Sequence, residues 1–418
     1  MPTRRNFLKA SLAAGAALSA PLKLSRSAHA AGKDGFRIGL IGCGGRGCGA
    51  AANAMNAGSD VKLVAMADLF EDQVTKGYQN LKKIYDAQMQ VGPDYRFFGF
   101  DAYKKVLESD VNVVIIAAAS HFHPVFFREA IAAGKHVFVE KPHALDVPGI
   151  KSVTETCEVA KKKGLAVVSG LCWRYDEAVR ATMQRVQDGA IGDIIAIQEY
   201  YIGGPYHARP RNPEWSELEY QMRNWYHFNW LSGDQTAQQL IHSIDKSSWA
   251  LRDVPPQKAW GMGGRQVCVD PKYGDQFDHV ATVFEYGSGV PVYAYCRDIP
   301  GCYSETSDTI LGTKGRAIMP RRCRIEDQQG NVVWQAEKPA TTMYDNEHRA
   351  LFDSIRNGQP LNNGDYMVTS SMLAILAQMV AYTGQEISWE KAMTSTLDFS
   401  LPQYSWDAQP PVTPNPDG

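Results

Sequence analysis

Two short stretches carry side chains that could move a proton. In the first, from Gln238 to Lys246, the pattern reads as a helix. His242 and Asp245 then share a face, three positions apart, and Gln238 joins it from four positions earlier. An imidazole can take a hydroxyl proton near neutral pH, and a neighbouring carboxylate can orient the ring or bind the substrate. The competing reading is a satisfied core histidine, because Ile241 and Ile244 could face the interior beside it. Gln238 is an amide, which can hold a hydroxyl but cannot take its proton. Lys246 reads as a solvated helix lysine rather than a supplementary cation. The second stretch is Glu140-Lys141-Pro142, closing the apolar run "HVFVE". A lysine at a strand end sits where open parallel sheets bind ligands. Burial there would lower its pKa and let it donate or relay a proton. Its competing reading is a surface lysine before a rigid proline.

The elements that would position these groups begin with "FRIGLIGCGGRGCGAAANAMNAG". A short apolar strand leads into Gly42, Gly44 and Gly47, with Gly45 and Arg46 inside the turn, and an Ala-rich helix follows. Glycines at this spacing allow a tight turn and let backbone amides approach a pyrophosphate at a helix N-terminus. A second strand, "VKLVAMAD", ends in Asp68, about twenty residues past the last glycine, where an acid accepts from ribose hydroxyls. A carboxylate there repels a 2′-phosphate, which favours NAD over NADP, although Arg46 could blur that preference. Helix and strand then alternate: "DAYKKVLES", "VNVVIIAAA", "PVFFREAIAAG", "HVFVE", "GIKSVTETCEVAKKKG" and "LAVVSG". This predicts a doubly wound parallel sheet, a dinucleotide-binding Rossmann domain over residues 36–170.

The start of the chain reads as an address. Arg4 and Arg5 precede an Ala-rich run and Ala28-His29-Ala30, the order of a twin-arginine signal peptide over residues 1–30. The run is too short and Ala-rich for stable membrane insertion. Export in the folded state by the twin-arginine machinery, to the periplasm or beyond, is expected. A net charge of −2 with no basic tract argues against nucleic acid. Eight cysteines form no metal pattern, and no histidine spacing suggests one, so no metal is expected. A Cys296–Cys302 disulfide is a minor expectation. Residues 406–418 are Pro-rich and read as an irregular tail.

Further along, "YYIGGPYHARPRNPEW" is rich in rings and cations of the kind that line carbohydrate pockets. Tyr206, His207, Arg209, Arg174, Tyr226 and His227 are candidate substrate contacts, together with Gln238, His242 and Asp245; a loop packed by its own aromatics is the alternative. "HVATVFEYGSGVPVYAYCRD" alternates around a turn at Gly287-Ser288-Gly289, a hairpin signal. "LGTKGR" reads as another turn, and "NEHRALFDSIRNG" as an amphipathic helix ending at Gly358.

The glycine turn, "SHFHP" at residues 120–124, Glu140-Lys141-Pro142 and "HSID", in that order, resemble the Gfo/Idh/MocA oxidoreductases. "EYQMRNWYHFNWLSGD" and "NEHRALFDSIRNGQPLNNGDYMV" followed by "AYTG" resemble the exported branch, related to the NAD-dependent glycosidases of family 109. The resemblance implies a second, α+β domain over residues 171–405 with a large open, mostly antiparallel sheet that carries substrate and an oligomer interface. It implies cofactor contacts from Ser120, His123, Glu140 and Lys141, catalytic roles for Lys141 and His242, and a cis Lys141–Pro142 bond. Relatives carry a carboxylate where this chain has Gln238, which puts a carboxylate-assisted relay in doubt.

The expected function is NAD-dependent hydride transfer at a hydroxyl of a sugar, glycoside or cyclitol. A glycosidase working through transient C3 oxidation and elimination is the alternative, and a non-catalytic sugar- or dinucleotide-binding protein ranks below both. Outside the cytoplasm there is no free dinucleotide pool, so the cofactor is expected to be held tightly.

Overall fold

The computed structural model describes residues 35–412. The signal peptide, its cleavage site and residues 413–418 of the tail lie outside them. Six strands form the first sheet: β1 (Phe36–Ile41), β2 (Val61–Asp68), β3 (Arg96–Phe98), β4 (Val113–Ile116), β5 (His136–Val139) and β6 (Val167–Ser169). Their order is β3-β2-β1-β4-β5-β6, all parallel. Helices cover both faces, which is why "VVII" in β4 is apolar at every position and fully buried. The order reverses between β1 and β4. The turns leaving these two strands therefore part there and open a crevice at their C-terminal ends.

The second sheet has nine strands: β7 (Ile194–Gly203), β8 (Lys258–Gly264), β9 (His279–Glu285), β10 (Pro291–Asp298), β11 (Glu305–Gly312), β12 (Gly315–Met319), β13 (Arg324–Asp327), β14 (Val332–Gln335) and β15 (Ile387–Ser388). The order is β14-β13-β12-β11-β7-β10-β9-β8-β15, antiparallel except where β10 pairs with β7. The expected hairpin turns join β9 to β10 and β11 to β12. Alternation sets the faces: Val280, Thr282, Phe284, Val292, Ala294 and Cys296 point inward. The helices Ile241–Ala250 and Gly364–Thr383 cover that side. The latter is long and apolar enough to cross a membrane, yet Met367, Leu373, Leu376 and Val380 are buried in the protein.

Chain order misleads at one helix. Met343–Arg356 falls in the stretch expected to belong to the sheet domain, but Leu351, Phe352 and Ile355 pack into the core of the first sheet. The Phe352 ring meets Phe36 edge-on at 4.8 Å. Cys296 is buried, Cys302 is exposed and both are free thiols, so the disulfide does not form.

Lys246 is not solvated. Its side chain is 2% exposed, and its Nζ lies 3.0 Å from Asp308 Oδ2 and donates to the His242 carbonyl at 2.6 Å. Glu199 stands opposite Asp308 in the ladder, also buried. Burial and the Asp308 charge push its pKa up, so Glu199 keeps its proton and the lysine neutralises Asp308. Lys246→Ala would leave a buried carboxylate without its cation. It should cost about 3–5 kcal/mol in urea unfolding. An unchanged midpoint would show that Asp308 is neutral in the folded protein.

Candidate active site

The glycine turn is shaped by contact with β4. Gly42 has φ +97°, and a Cβ there would overlap the Ala117 carbonyl. A Cβ on Gly47 would overlap the Gly42 carbonyl, so the helix Gly45–Asn56 approaches the strand as closely as its backbone allows. Gly44 and Gly45 differ: a Cβ on either would meet nothing within 4 Å. That open space belongs to a cavity of about 410 Å³. Asp68 lines it at the end of β2, with Oδ2 accepting from Cys43 N at 2.6 Å and Oδ1 from Phe70 N at 3.0 Å. Burial raises the Asp68 pKa against these two bonds. The carboxylate thus braces the turn from the side.

Beyond Asp68 the cavity ends in Phe70, Phe100, Tyr103, Phe122 and Phe126, an apolar slot suited to a flat ring. Motif reading did not find these residues. The available signal was an aromatic just past the ends of β2 and β3. The opposite wall comes from the second domain: Tyr206, His207, Arg209 and residues 222–227, including Tyr226 and His227. Five of the residues read as sugar contacts therefore border the same cavity as Gly42, Gly44, Gly45, Arg46, Gly47 and Asp68. An open amide cradle, an acid at the second strand and an apolar slot fit a dinucleotide.

Lys141, Gln238 and His242 are not among the residues that line the cavity; Gln238 is tied to Ser120, next to the lining residue Ala119. Lys141 lies two residues past β5, before a cis bond to Pro142, and its ammonium donates to the Gln238 carbonyl. Gln238 belongs to a π-helical turn, Thr236–Leu240, that runs into the helix carrying His242. Such wider turns recur at functional sites. Burial lowers the Lys141 pKa, and the Glu140 charge opposes that. His242 is held neutral by burial first, then by the Lys141 and Lys246 charges, and its Nδ1 has no hydrogen-bond partner among the described residues. Tyr226 stacks on Tyr206 at 4.0 Å and on Trp225 at 3.8 Å. Tyr206 reaches Gln239, and Tyr226 faces Glu140 and Arg46. The stack thus lines the cavity and reaches the neighbours of Gln238 and Lys141 in the chain.

Several expected contacts are engaged elsewhere. Arg174 Nε donates to Asp245 Oδ1 at 2.9 Å, its Nη1 donates to Asp253, and Ser370 also donates to Asp245. Neither Arg174 nor Asp245 is free for a substrate, and Asp245 does not orient His242. A charged pair this deep satisfies itself locally because the desolvated charges have no better partner. The Gln238 amide donates to Ser120 Oγ at 3.1 Å and to the Ser232 carbonyl, so it ties two segments together instead of holding a hydroxyl. Ser120 is consumed by that bond. His123 is buried with its ring nitrogens against the Pro142 and Ala118 carbonyls at 2.7 and 3.0 Å, which makes it a strut for the cis-proline turn rather than a cofactor contact. Glu140 pairs with Arg46 at 3.1 Å and does not line the cavity.

Comparison with known proteins agrees with this geometry. Residues 36–170 match the Gfo/Idh/MocA model, described as an oxidoreductase family with an NAD-binding Rossmann fold, and residues 1–21 match a twin-arginine translocation signal sequence, which directs export. An inositol 2-dehydrogenase of Burkholderia cenocepacia is 25% identical over 336 residues, 77% of this chain and 87% of the relative. A glycosyl hydrolase family 109 protein of Shewanella sp. (strain ANA-3) is 26% identical over 350 residues, covering 76% and 68%. The fold matches scyllo-inositol dehydrogenase of Lactobacillus casei, solved with NAD(H) and scyllo-inositol, at TM-score 0.63 and 22% identity over 85% of this chain and 99% of that one. It also matches a 3-ketoreductase of Actinomadura kijaniata, solved with NADP, at TM-score 0.65 and 18% identity over 84% and 98%.

Two further buried carboxyls lie near this site. Asp234, just before the π turn, is raised to about 7 by burial, against a hydrogen bond from Tyr382. Asp298, ending β10, is raised to about 8 by burial and then by Asp234. Each holds a proton in the folded state that the unfolded chain releases above about pH 4. Stability therefore falls as pH rises toward about 8 and levels off beyond it. His121, His123 and His227, lowered to about 4 by desolvation, act oppositely, but only below about pH 6.5. Between about pH 6.5 and 8 the unfolding free energy should decline. Asp298→Asn should flatten that decline and add at least about 1 kcal/mol at its upper end. A flat wild-type profile would contradict the assignment.

Proposed function

We propose that this chain, which carries a Gfo/Idh/MocA dinucleotide-binding domain and a twin-arginine signal, is an exported oxidoreductase acting on a hydroxyl of a sugar, glycoside or cyclitol. One arrangement supports this most: a neutral histidine and a lysine of lowered pKa lie together beside a cavity built on the glycine turn. When bound, the nicotinamide would supply the hydride chemistry. The chain's own residues would do the rest. His242, held neutral by its surroundings, takes the proton of the hydroxyl being oxidised. Lys141, fixed by the Gln238 carbonyl, relays that proton or donates a hydrogen bond to the same oxygen. Tyr206 offers its outer ring face to the apolar face of the substrate, and Tyr226, stacked between Tyr206 and Trp225, backs it.

NAD is the preferred dinucleotide. Asp68 stands where a 2′-phosphate would lie. Arg46 turns toward Glu140 and stacks on Tyr344 at 4.6 Å, away from Asp68, so it does not offset that repulsion. The export signal favours a cofactor that is retained and regenerated within each turnover. That condition also suits the glycosidase reading, in which oxidation at C3 is transient, and the family 109 relative keeps it as the second choice. Self-association would use the outer face of the nine-stranded sheet, where Tyr200 stacks on Tyr295 and Trp260 and Met262 are exposed.

His242→Gln should fold, retain dinucleotide and lose about 100-fold or more in kcat, and the pH limb set by the histidine should flatten. Lys141→Ala should likewise bind dinucleotide but turn over slowly. Full activity in either variant, assayed with a panel of cyclitols and aryl glycosides, would remove that residue from the chemistry. Asp68→Ala should weaken NAD more than NADP in a binding titration; equal loss would leave Asp68 only as a brace of the turn.

A further inference from the structure

The end of the cavity beyond Asp68 is backed by a part of the chain outside both sheets. After the short helix Trp389–Ala392 the backbone runs without regular structure, and from Phe399 to Val412 it crosses the loops that follow β2, β3 and β4. Asp146 accepts from Phe399 N at 3.3 Å at one end, and Gln221 donates to the Val412 carbonyl at 2.9 Å at the other. Between these anchors, Trp406 stacks on Phe70 at 5.7 Å and tilts against Phe100 at 4.8 Å. Tyr404 packs on Phe122 at 5.3 Å, and its hydroxyl lies 2.5 Å from His121 Nε2. Phe70, Phe100 and Phe122 line the cavity, so Tyr404 and Trp406 pack on residues that form its wall.

The same strap reaches the opposite wall. Gln221 and Arg223 lie on the helix Glu217–Arg223, within the stretch of the second domain that faces the glycine turn. Arg223 places its guanidinium 3.8 Å from the Phe70 ring centre and pairs with Asp72 at 3.2 Å. Gln221 also accepts from the buried Trp230 indole at 2.7 Å. Phe70, Phe100, Phe122 and Tyr404 join Met222 and Trp230 in an apolar cluster separate from the cores under the two sheets, and Trp406 packs on its outer side.

We propose that the strap Phe399–Val412 is a latch on the dinucleotide. Trp406 and Tyr404 are positioning residues that fix the aromatic wall at the adenosine end and keep the two sides of the cavity together, so that a bound dinucleotide leaves slowly. This rests on the reading of the cavity as a dinucleotide site. It assigns cofactor retention to a segment that the glycine motif does not include.

The test uses the full mature chain loaded with isotopically labelled NAD and chased with excess unlabelled NAD, with label loss followed by mass. Trp406→Ala removes two aromatic contacts and should raise the dissociation rate about tenfold or more. Trp406→Phe should restore most of the retention, and kcat at saturating dinucleotide should change little in both. Melting of the cofactor-free proteins should stay close to wild type. An unchanged dissociation rate in a folded Trp406→Ala protein overturns the latch. If that variant does not fold, Tyr404→Phe, which loses the hydroxyl contacts with His121 and Leu401 N, should still release label faster than wild type; equal rates overturn the proposal. A wild-type protein that binds no dinucleotide overturns the cavity reading itself. Rapid exchange in wild type that Trp406→Ala leaves unaltered overturns the latch alone.

Discussion

The hydrogen bond from Lys141 to the carbonyl of Gln238 joins the two halves of the site. A half-buried ammonium just past β5 needs an acceptor, and the π turn before the helix of His242 presents one. That bond ties the loop after β5 to the helix lying on the nine-stranded sheet. Around it the other ties fall into place: the Gln238 amide on Ser120, His123 on the Pro142 carbonyl, and Lys246 on the carbonyl of His242 itself. The Gln238–Ser120 bond also crosses between the two bodies, the His123 bond braces the first body, and Lys246, through Asp308, ties the helix to the sheet beneath. His242 Nδ1 is left without a hydrogen-bond partner among the described residues, as polar groups that do chemistry rather than hold structure can be.

Much of the first body was legible because its rules are local. Five apolar runs separated by helix patterns dictate a parallel sheet, although the short edge strand Arg96–Phe98 escapes that reading, and glycines at 42, 44 and 47 can be read one by one from the space around them. The site was only partly legible. Lys141 and His242 stand together, but Asp245 is held by Arg174, far along the chain from it, and nothing in "HSID" announces that pairing. Lys246 reads as a surface residue by type and spacing, and only the position of Asp308 on β11 explains its burial. The helix Met343–Arg356 crosses back to the first sheet, a choice made by Phe36 and Phe352 and invisible to chain order. Partners chosen across long sequence separations are what pattern reading lacks.

Export and the cavity's construction belong together. A protein directed through the twin-arginine route leaves the compartment in which dinucleotides are replenished. Here the cavity is lined by two distant segments, the Rossmann loops and the arm ending at His227, and the strap backs Phe70 and Phe100 from behind. A site open on one side would suit exchange with a pool. One closed on several sides suits a cofactor loaded once, before export, and regenerated in place.

The central claim is that this cavity holds a retained NAD. Mature protein recovered from the periplasm, washed extensively and then denatured, should release NAD or NADH, close to one per chain, identified by mass. Release of NADP in its place would contradict the role given to Asp68, and protein that is folded yet carries no dinucleotide would contradict the account as a whole.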